Sequence, residues 1–279
     1  MLVDIHNHTS RFSPDARMTI DELIEASVNN GFDVIGITEH FEYDNPDPLD
    51  DVQVFDLDEY KDTFAEWRKK CPSSLKLLMG VEFGYQTHTA EAIDRFAQAI
   101  PFDVVLLSNH LFRGRDVYYA GDDCYTVPKK ERHAEYIGIM AEMCERCSNF
   151  DIAAHYDYVN RYNPDPSEYV SYDDCPAEFD RLFEALISKN KCLEINTKSV
   201  FKAKEKGCTH IMPDEKVIRR YMDMGGKLFS VGSDSHVSST LGVMYKETYA
   251  YLESLGVKEL CYFENREPKL YGISSANLV

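Results

Sequence analysis

The sequence predicts an α/β protein whose parallel strands close into a barrel. Three observations carry that expectation. Short apolar runs alternate with helical patterns, there are seven such units, and no linker, repeat or low-complexity tract divides them. Strands that alternate with helices pair in parallel through right-handed crossovers. Seven units without a break in composition favour closure over an open sheet. Residues 1–279 are therefore read as a single domain, long enough to bury a large core.

The first strand is expected over residues 2–5, running into His6 and His8. A helix follows at 20–29, with Thr19 as N-cap, Glu22 completing a capping box, and Gly31 just past its end. The second strand, 33–38, runs into Glu39 and His40, and a helix spans 58–70. The third strand, 75–83, carries Glu82 and precedes a helix at 90–99. The fourth, 103–108, runs into Asn109 and His110, and the helix at 128–147 opens on Pro128 as a first-turn proline. The fifth strand, 151–155, ends at His155 before a helix at 177–188. The sixth, 192–196, carries Glu194 and Asn196. No helix is expected again until 213–224, with Pro213 in its first turn and Gly225-Gly226 as its stop. The seventh strand, 227–232, runs into Asp234 and His236, and a last helix covers 240–255. Residues 260–263 read as a late extra strand or an edge.

In a parallel barrel the C-terminal strand ends share one rim, where barrel enzymes keep their chemistry. Six of the nine histidines fall at those ends; His88, His133 and His210 do not and are read as structural or surface residues. Side chains alternate along a strand, so His6 and His8 face one way, as do Asp234 and His236. Buried together without a counter-ion, such groups suffer desolvation and mutual repulsion, which divalent cations relieve. Imidazole and carboxylate donors without cysteine favour zinc, iron or manganese over calcium. A multinuclear metal site is expected.

Acids outnumber bases 48 to 30, a formal charge of −18. That surface disfavours nucleic acid and anionic membrane as partners. No run reaches the roughly 20 apolar residues of a membrane helix, and the charged N-terminus is unlike a signal peptide. A soluble, cytoplasmic protein is expected. The eight cysteines are irregularly spaced, and Cys144-Glu145-Arg146-Cys147 reads as two helix-end thiols rather than a metal or redox motif.

At these residues the sequence resembles the PHP (polymerase and histidinol phosphatase) family, in its monofunctional histidinol-phosphatase branch. The resemblance rests on Asp4-Ile5-His6-Asn7-His8-Thr9, Thr38-Glu39-His40, Gly80-Val81-Glu82, Ser108-Asn109-His110, Ala154-His155-Tyr156-Asp157, Glu194-Ile195-Asn196-Thr197 and Gly232-Ser233-Asp234-Ser235-His236. It implies a distorted (β/α)7 barrel of TIM-barrel type and three divalent metal ions, zinc, manganese or iron. It implies His6, His8, Glu82 and Asp234 on the first, Glu82, His110 and His155 on the second, and Asp15, His40 and His236 on the third. Spacing alone does not find Asp15, since an acid beside a proline is usually a turn residue. The implied substrate is a small phosphate ester, most specifically L-histidinol phosphate, hydrolysed to L-histidinol and phosphate in histidine biosynthesis. In-line attack by a hydroxide held between the first two metals is the expected chemistry. Asp234, His40 and His236 are the candidate catalytic residues, with His236, His40 or a metal-bound water as the acid.

Arg161 matches an arginine that the family uses on phosphate. Arg113, Arg115, Tyr118 and Tyr119, after the fourth strand, are candidates to cover the pocket. After the sixth strand the family often continues with Ser-Gly and an arginine; here Lys198 or Lys202 would have to substitute, without the guanidinium fork. Glu42, Asp44, Asp47, Asp50 and Asp51 are candidates to attract the cationic end of the substrate. The alternatives are another small phosphate ester, a metal-dependent amidohydrolase, against which Glu82 and the third ligand set argue, and a metal-bound scaffold without activity.

Overall fold

A computed structural model describes residues 1–47 and 54–277; Asp50 and Asp51 lie outside the described residues. Seven parallel strands form one sheet: β1 (Val3–Asp4), β2 (Val34–Phe41), β3 (Lys76–Gly84), β4 (Val104–Ser108), β7 (Ile152–Ala153), β8 (Cys192–Asn196) and β9 (Phe229–Gly232), in that spatial order. A short antiparallel hairpin, β5 (Leu111–Phe112) with β6 (Arg115–Asp116), intervenes after β4. Almost every strand residue is buried, as expected where helices cover the outside and side chains fill the inside of a parallel barrel.

Closure between β1 and β9 is made mostly by side chains. Buried Asp4 accepts from Ser233 N at 3.0 Å and from its hydroxyl at 2.5 Å. His8 N donates to Ser235 O at 2.9 Å, beside an isolated bridge between Asn7 and Ser235. The barrel is thus distorted at this seam, where two candidate ligand pairs meet.

The helices are α1 (Ile20–Asn29), α2 (Leu57–Lys70), α3 (Ala90–Phe96), α4 (Lys129–Arg146), α5 (Pro176–Ser188), α6 (Thr197–Glu205), α7 (Glu215–Asp223) and α8 (Tyr245–Ser254). The capping box of α1 forms: Thr19 Oγ1 accepts from Glu22 N at 3.3 Å, and the Glu22 carboxylate accepts from Thr19 N at 2.8 Å.

Some expectations change. Pro128 is the N-cap of α4 rather than a first-turn residue, and Pro213 precedes α7, which Asp214 caps. The last helix starts at Tyr245, not 240, because Gly242 and Met244 adopt left-handed φ of 68° and 61° that a helix cannot contain. Helix α6 was not expected. It starts on the residue after β8, with Asn196 serving both as last strand residue and as N-cap, accepting from Lys198 N at 3.1 Å. No loop separates the two elements, so no turn signal announces the helix.

Residues 260–263 lie within β10 (Glu259–Glu264), which pairs antiparallel with β11 (Glu267–Gly272). This hairpin covers the N-terminal end of the barrel. Arg266 Nε donates to Asp151 Oδ2 at 2.5 Å, and Asn265 N to Asp103 Oδ1 at 3.1 Å, two acids that precede β7 and β4. All eight cysteines are free thiols. Cys144 and Cys147 are both buried, and burial pushes the Cys147 thiol up to about 12, away from the thiolate form that metal or redox chemistry uses. No described helix is long and apolar enough to cross a membrane.

Candidate metal centre

The strand ends converge as the topology requires. Glu82 on β3 lies at the middle, fully buried. Its Oε2 is 3.2 Å from His6 Nε2, 3.4 Å from His8 Nε2 and 3.1 Å from His40 Nδ1. Its Oε1 is 2.7 Å from His155 Nε2 and 3.2 Å from His110 Nε2. Asp234 Oδ1 is 3.5 Å from His8 Nε2 and 3.9 Å from His6 Nε2. The third group is tight as well. Asp15 Oδ2 is 2.8 Å from His236 Nε2 and 3.5 Å from His40 Nε2, and these two imidazole nitrogens are 3.3 Å apart. All nine residues proposed as ligands from the sequence therefore come together.

The donor set fits divalent cations. His6 Nε2, His8 Nε2, His40 Nδ1 and Glu82 Oε2 are buried and have no hydrogen-bond partner. Buried polar atoms are seldom left so. Ligand atoms about 2.1 Å from a tetrahedral ion stand about 3.4 Å apart, within the 2.7–3.9 Å span of the contacts above. His6, His8 and Glu82 form one ligand-competent group, Glu82, His110 and His155 another, and His8, His40 and His236 a third.

A surrounding shell aims these donors. Glu194 Oε1 lies 2.7 Å from His6 Nδ1, and its Oε2 accepts from His155 N at 2.9 Å. Glu42 Oε1 lies 2.7 Å from His110 Nδ1. With an ion bound, each carboxylate would hold the proton on Nδ1 and leave Nε2 to face inward. Ser108 Oγ donates to Glu82 Oε1. Glu39, pushed by burial up to about 7, accepts from Ser13 Oγ at 2.6 Å and Thr9 N at 3.0 Å, while Ser13 Oγ accepts from His40 N at 3.1 Å. That network pins the loop carrying Asp15. Burial opposes charge on both partners of the His6–Glu82 pair. The neighbours win: Glu194 and Glu82 raise His6 well above the usual imidazole range, and His6 and His110 hold Glu82 well below the usual carboxylate range. His155 and Asp234 sit at φ of 22° and 49°, in the left-handed region that non-glycine residues adopt uncommonly.

A cavity of about 500 Å³ opens over the cluster. Of the residues expected to touch substrate, Arg161, Tyr118, Lys198 and Lys202 line it. Arg161 is covered and heavily engaged: it donates to Asp234 Oδ2 at 2.6 Å, Asn196 Oδ1 at 3.0 Å and Ser199 Oγ at 3.2 Å. Lys198 Nζ lies 3.3 Å from Asp234 Oδ1 and 3.0 Å from His236 Nδ1. Lys202 pairs with Glu205 at 2.8 Å.

Other expectations are corrected. Arg113 does not line the cavity; its guanidinium forks onto Glu135 at 2.7–3.0 Å and reaches Glu131 at 3.0 Å, both on α4. Arg115 Nε is held by Asp47 at 3.0 Å. Asp44 pairs with exposed His88 at 2.8 Å outside the cavity wall, while Glu42 lies in that wall with its Oε1 committed to His110. His133 is buried in α4 beside Asp174, and His210 stacks on Tyr169, both apart from the cluster. Sequence reasoning missed the orienting roles of Glu42 and Glu194, and missed Arg17, Tyr158 and Tyr162 in the cavity wall. Glu194 carried a signal, two residues before Asn196 on a strand whose neighbours all end in ligands; Arg17 carried none.

The sequence matches the PHP domain over residues 4–198. It is 32% identical over 268 residues to a Clostridium acetobutylicum protein described as "Probable histidinol-phosphatase", covering 95% of this chain and 98% of that one. It is 25% identical to a histidinol-phosphatase of Lactococcus lactis, covering 94% of each chain. The crystal structure of a Lactococcus lactis histidinol phosphate phosphatase, complexed with zinc, L-histidinol and phosphate, shares the fold at a TM-score of 0.83 and 23% identity, over 96% of this chain and 98% of that one. Family signatures spread through the chain thus coincide with the strand ends that supply the cluster, and the chain belongs to the PHP family, in its histidinol-phosphatase branch.

Proposed function

We propose that the protein is a metal-dependent phosphomonoesterase that hydrolyses L-histidinol phosphate to L-histidinol and phosphate. The carrying observation is the convergence of six histidines and three carboxylates, with orphaned donor atoms, beneath an open cavity. Relatives described as histidinol-phosphatases, matching nearly the whole chain, support the substrate. His6, His8, Glu82 and Asp234 would hold one ion, Glu82, His110 and His155 a second, and Asp15, His40 and His236 a third; zinc, manganese and iron all suit these donors. Such ions, when bound, polarise phosphoryl oxygens and lower the pKa of water to supply a nucleophile at neutral pH.

The chain's own residues do the rest. Arg161 clamps Asp234 Oδ2 and leaves Oδ1 turned toward His8. Lys198 places positive charge beside Asp234 and His236, where a phosphate dianion would approach. Asp15, His40 and His236 line the cavity; with both imidazoles committed to an ion, water at that ion would supply the proton of the leaving alkoxide. Tyr118, Tyr119, Tyr158 and Tyr162 wall the cavity and suit an aromatic leaving group. We read residues 1–279 as one catalytic unit acting in the cytoplasm.

Steady-state kinetics of metal-characterised protein on histidinol phosphate, against nucleotide, sugar and aryl monoesters, tests this. A kcat/KM preference of about 100-fold or more, about 2.7 kcal/mol of transition-state discrimination, is expected. Equal or better turnover of another ester would reassign the substrate and leave the chemistry standing.

A further inference from the structure

Eleven of the thirteen arginines are paired with a carboxylate. Among the described residues the exceptions are Arg17 and Arg95. Arg95 lies on α3, outside the cavity wall; Arg17 is in that wall. In a chain of net charge −18, an arginine without an anionic partner stands out. The other three cavity cations are engaged: Arg161 and Lys198 by Asp234, and Lys202 by Glu205.

The position of Arg17 is fixed by its backbone. Arg17 N and Met18 N donate to His236 O at 2.9 and 3.1 Å, and Asp15 Oδ2 reaches His236 Nε2 at 2.8 Å. One strap therefore carries both Asp15 and Arg17 to the His236 side of the cluster, while the Arg17 side chain stays exposed and unpartnered. A guanidinium offers a planar fork that matches two phosphoryl oxygens.

We propose that Arg17 is a substrate-binding residue that grips the phosphoryl group of the substrate from the solvent side. This rests on the phosphomonoesterase reading and deepens it. Arg17 supplies the free bidentate cation, and Arg161 positions Asp234. The ligand class is a phosphate monoester dianion, with inorganic phosphate as its product and probe.

The test uses metal-loaded enzyme with Arg17→Ala and Arg17→Lys. Calorimetry gives the Kd of inorganic phosphate, kinetics give KM and kcat for histidinol phosphate, and metal analysis gives occupancy. Arg17→Ala is expected to weaken phosphate binding and raise KM by roughly tenfold or more at unchanged metal content, with partial recovery in Arg17→Lys. Phosphate affinity and KM within about twofold of wild type would overturn the proposal, as would a loss explained by lost metal. The phosphate measurement decides on Arg17 whatever the natural ester. A wild-type enzyme that binds phosphate but leaves histidinol phosphate intact would sink the assigned substrate instead.

Discussion

Glu194 shows how one side chain governs several others. It touches His6 through one oxygen and the His155 backbone through the other, so it sets the direction of two ligands from different strands. Glu194→Gln keeps the size and removes the charge that holds His6 in its metal-binding tautomer. Metal affinity is expected to fall about 10- to 100-fold, with activity recovered at high metal concentration; a metal titration followed by initial rates checks this. His133 acts on stability instead. Burial in α4 pushes its pKa down to about 4 from the ordinary 6.5 of an imidazole. Between those values the unfolded chain binds more protons, so this contribution is intact above pH 6.5 and is lost as pH falls toward 4. The loss amounts to at most about 3.4 kcal/mol. Urea melts of wild type and His133→Gln should show the variant with a flatter dependence across that range.

The elements deliver their ligands by close approach. A Cβ on Gly232 would stand 2.5 Å from His6 Cβ and 2.5 Å from Glu194 Oε1, so β9 can pass β1 and β8 only without a side chain there. Gly232→Ala is expected to cost about 1–3 kcal/mol through overpacking and to weaken metal binding by moving His6; paired thermal melts and metal titration would show both. At the opposite end the hairpin β10–β11 acts on stability alone. Arg266→Ala removes the partner of buried Asp151 and should cost about 2 kcal/mol while the metal content stays normal. A variant that lost metal in proportion to stability would contradict this separation of barrel ends.

For the whole molecule, candidate ligands from β2, β3 and the residues after β1, β4, β7 and β9 share a small volume, so bound ions would act as cross-links across the barrel. Chelation is expected to abolish activity and lower Tm, since an ion at about a thousand times its Kd contributes about 4 kcal/mol. Calorimetry before and after removal, then after re-addition of zinc or manganese, measures it. A Tm insensitive to chelation would mean that the cluster is not a metal site. The charge of −18 surrounds a cavity whose wall holds four cations beside four carboxylates, with Arg17 the one cation left without an anionic partner among the described residues. Small phosphate dianions can reach that cavity, while long polyanions meet a repulsive surface.

Seven strand–helix units, the barrel they form and the polar strand ends were legible in the sequence, because apolar periodicity is local and parallel connection follows from it. Asp15 was reached only through likeness to a family, since nothing local separates a ligand beside Pro14 from a turn residue. Helix α6 hid behind Asn196, which ends a strand and caps a helix at once. The tertiary structure alone decided what pairs with what. Arg113 reads from the sequence as a pocket residue, but α4 brings Glu131 and Glu135 to it, and Arg17 carries no local signal, since only the His236 carbonyl draws its backbone to the cavity. Ion pairing and cavity lining depend on distances between segments remote in the chain, and those distances exist only once the barrel has closed.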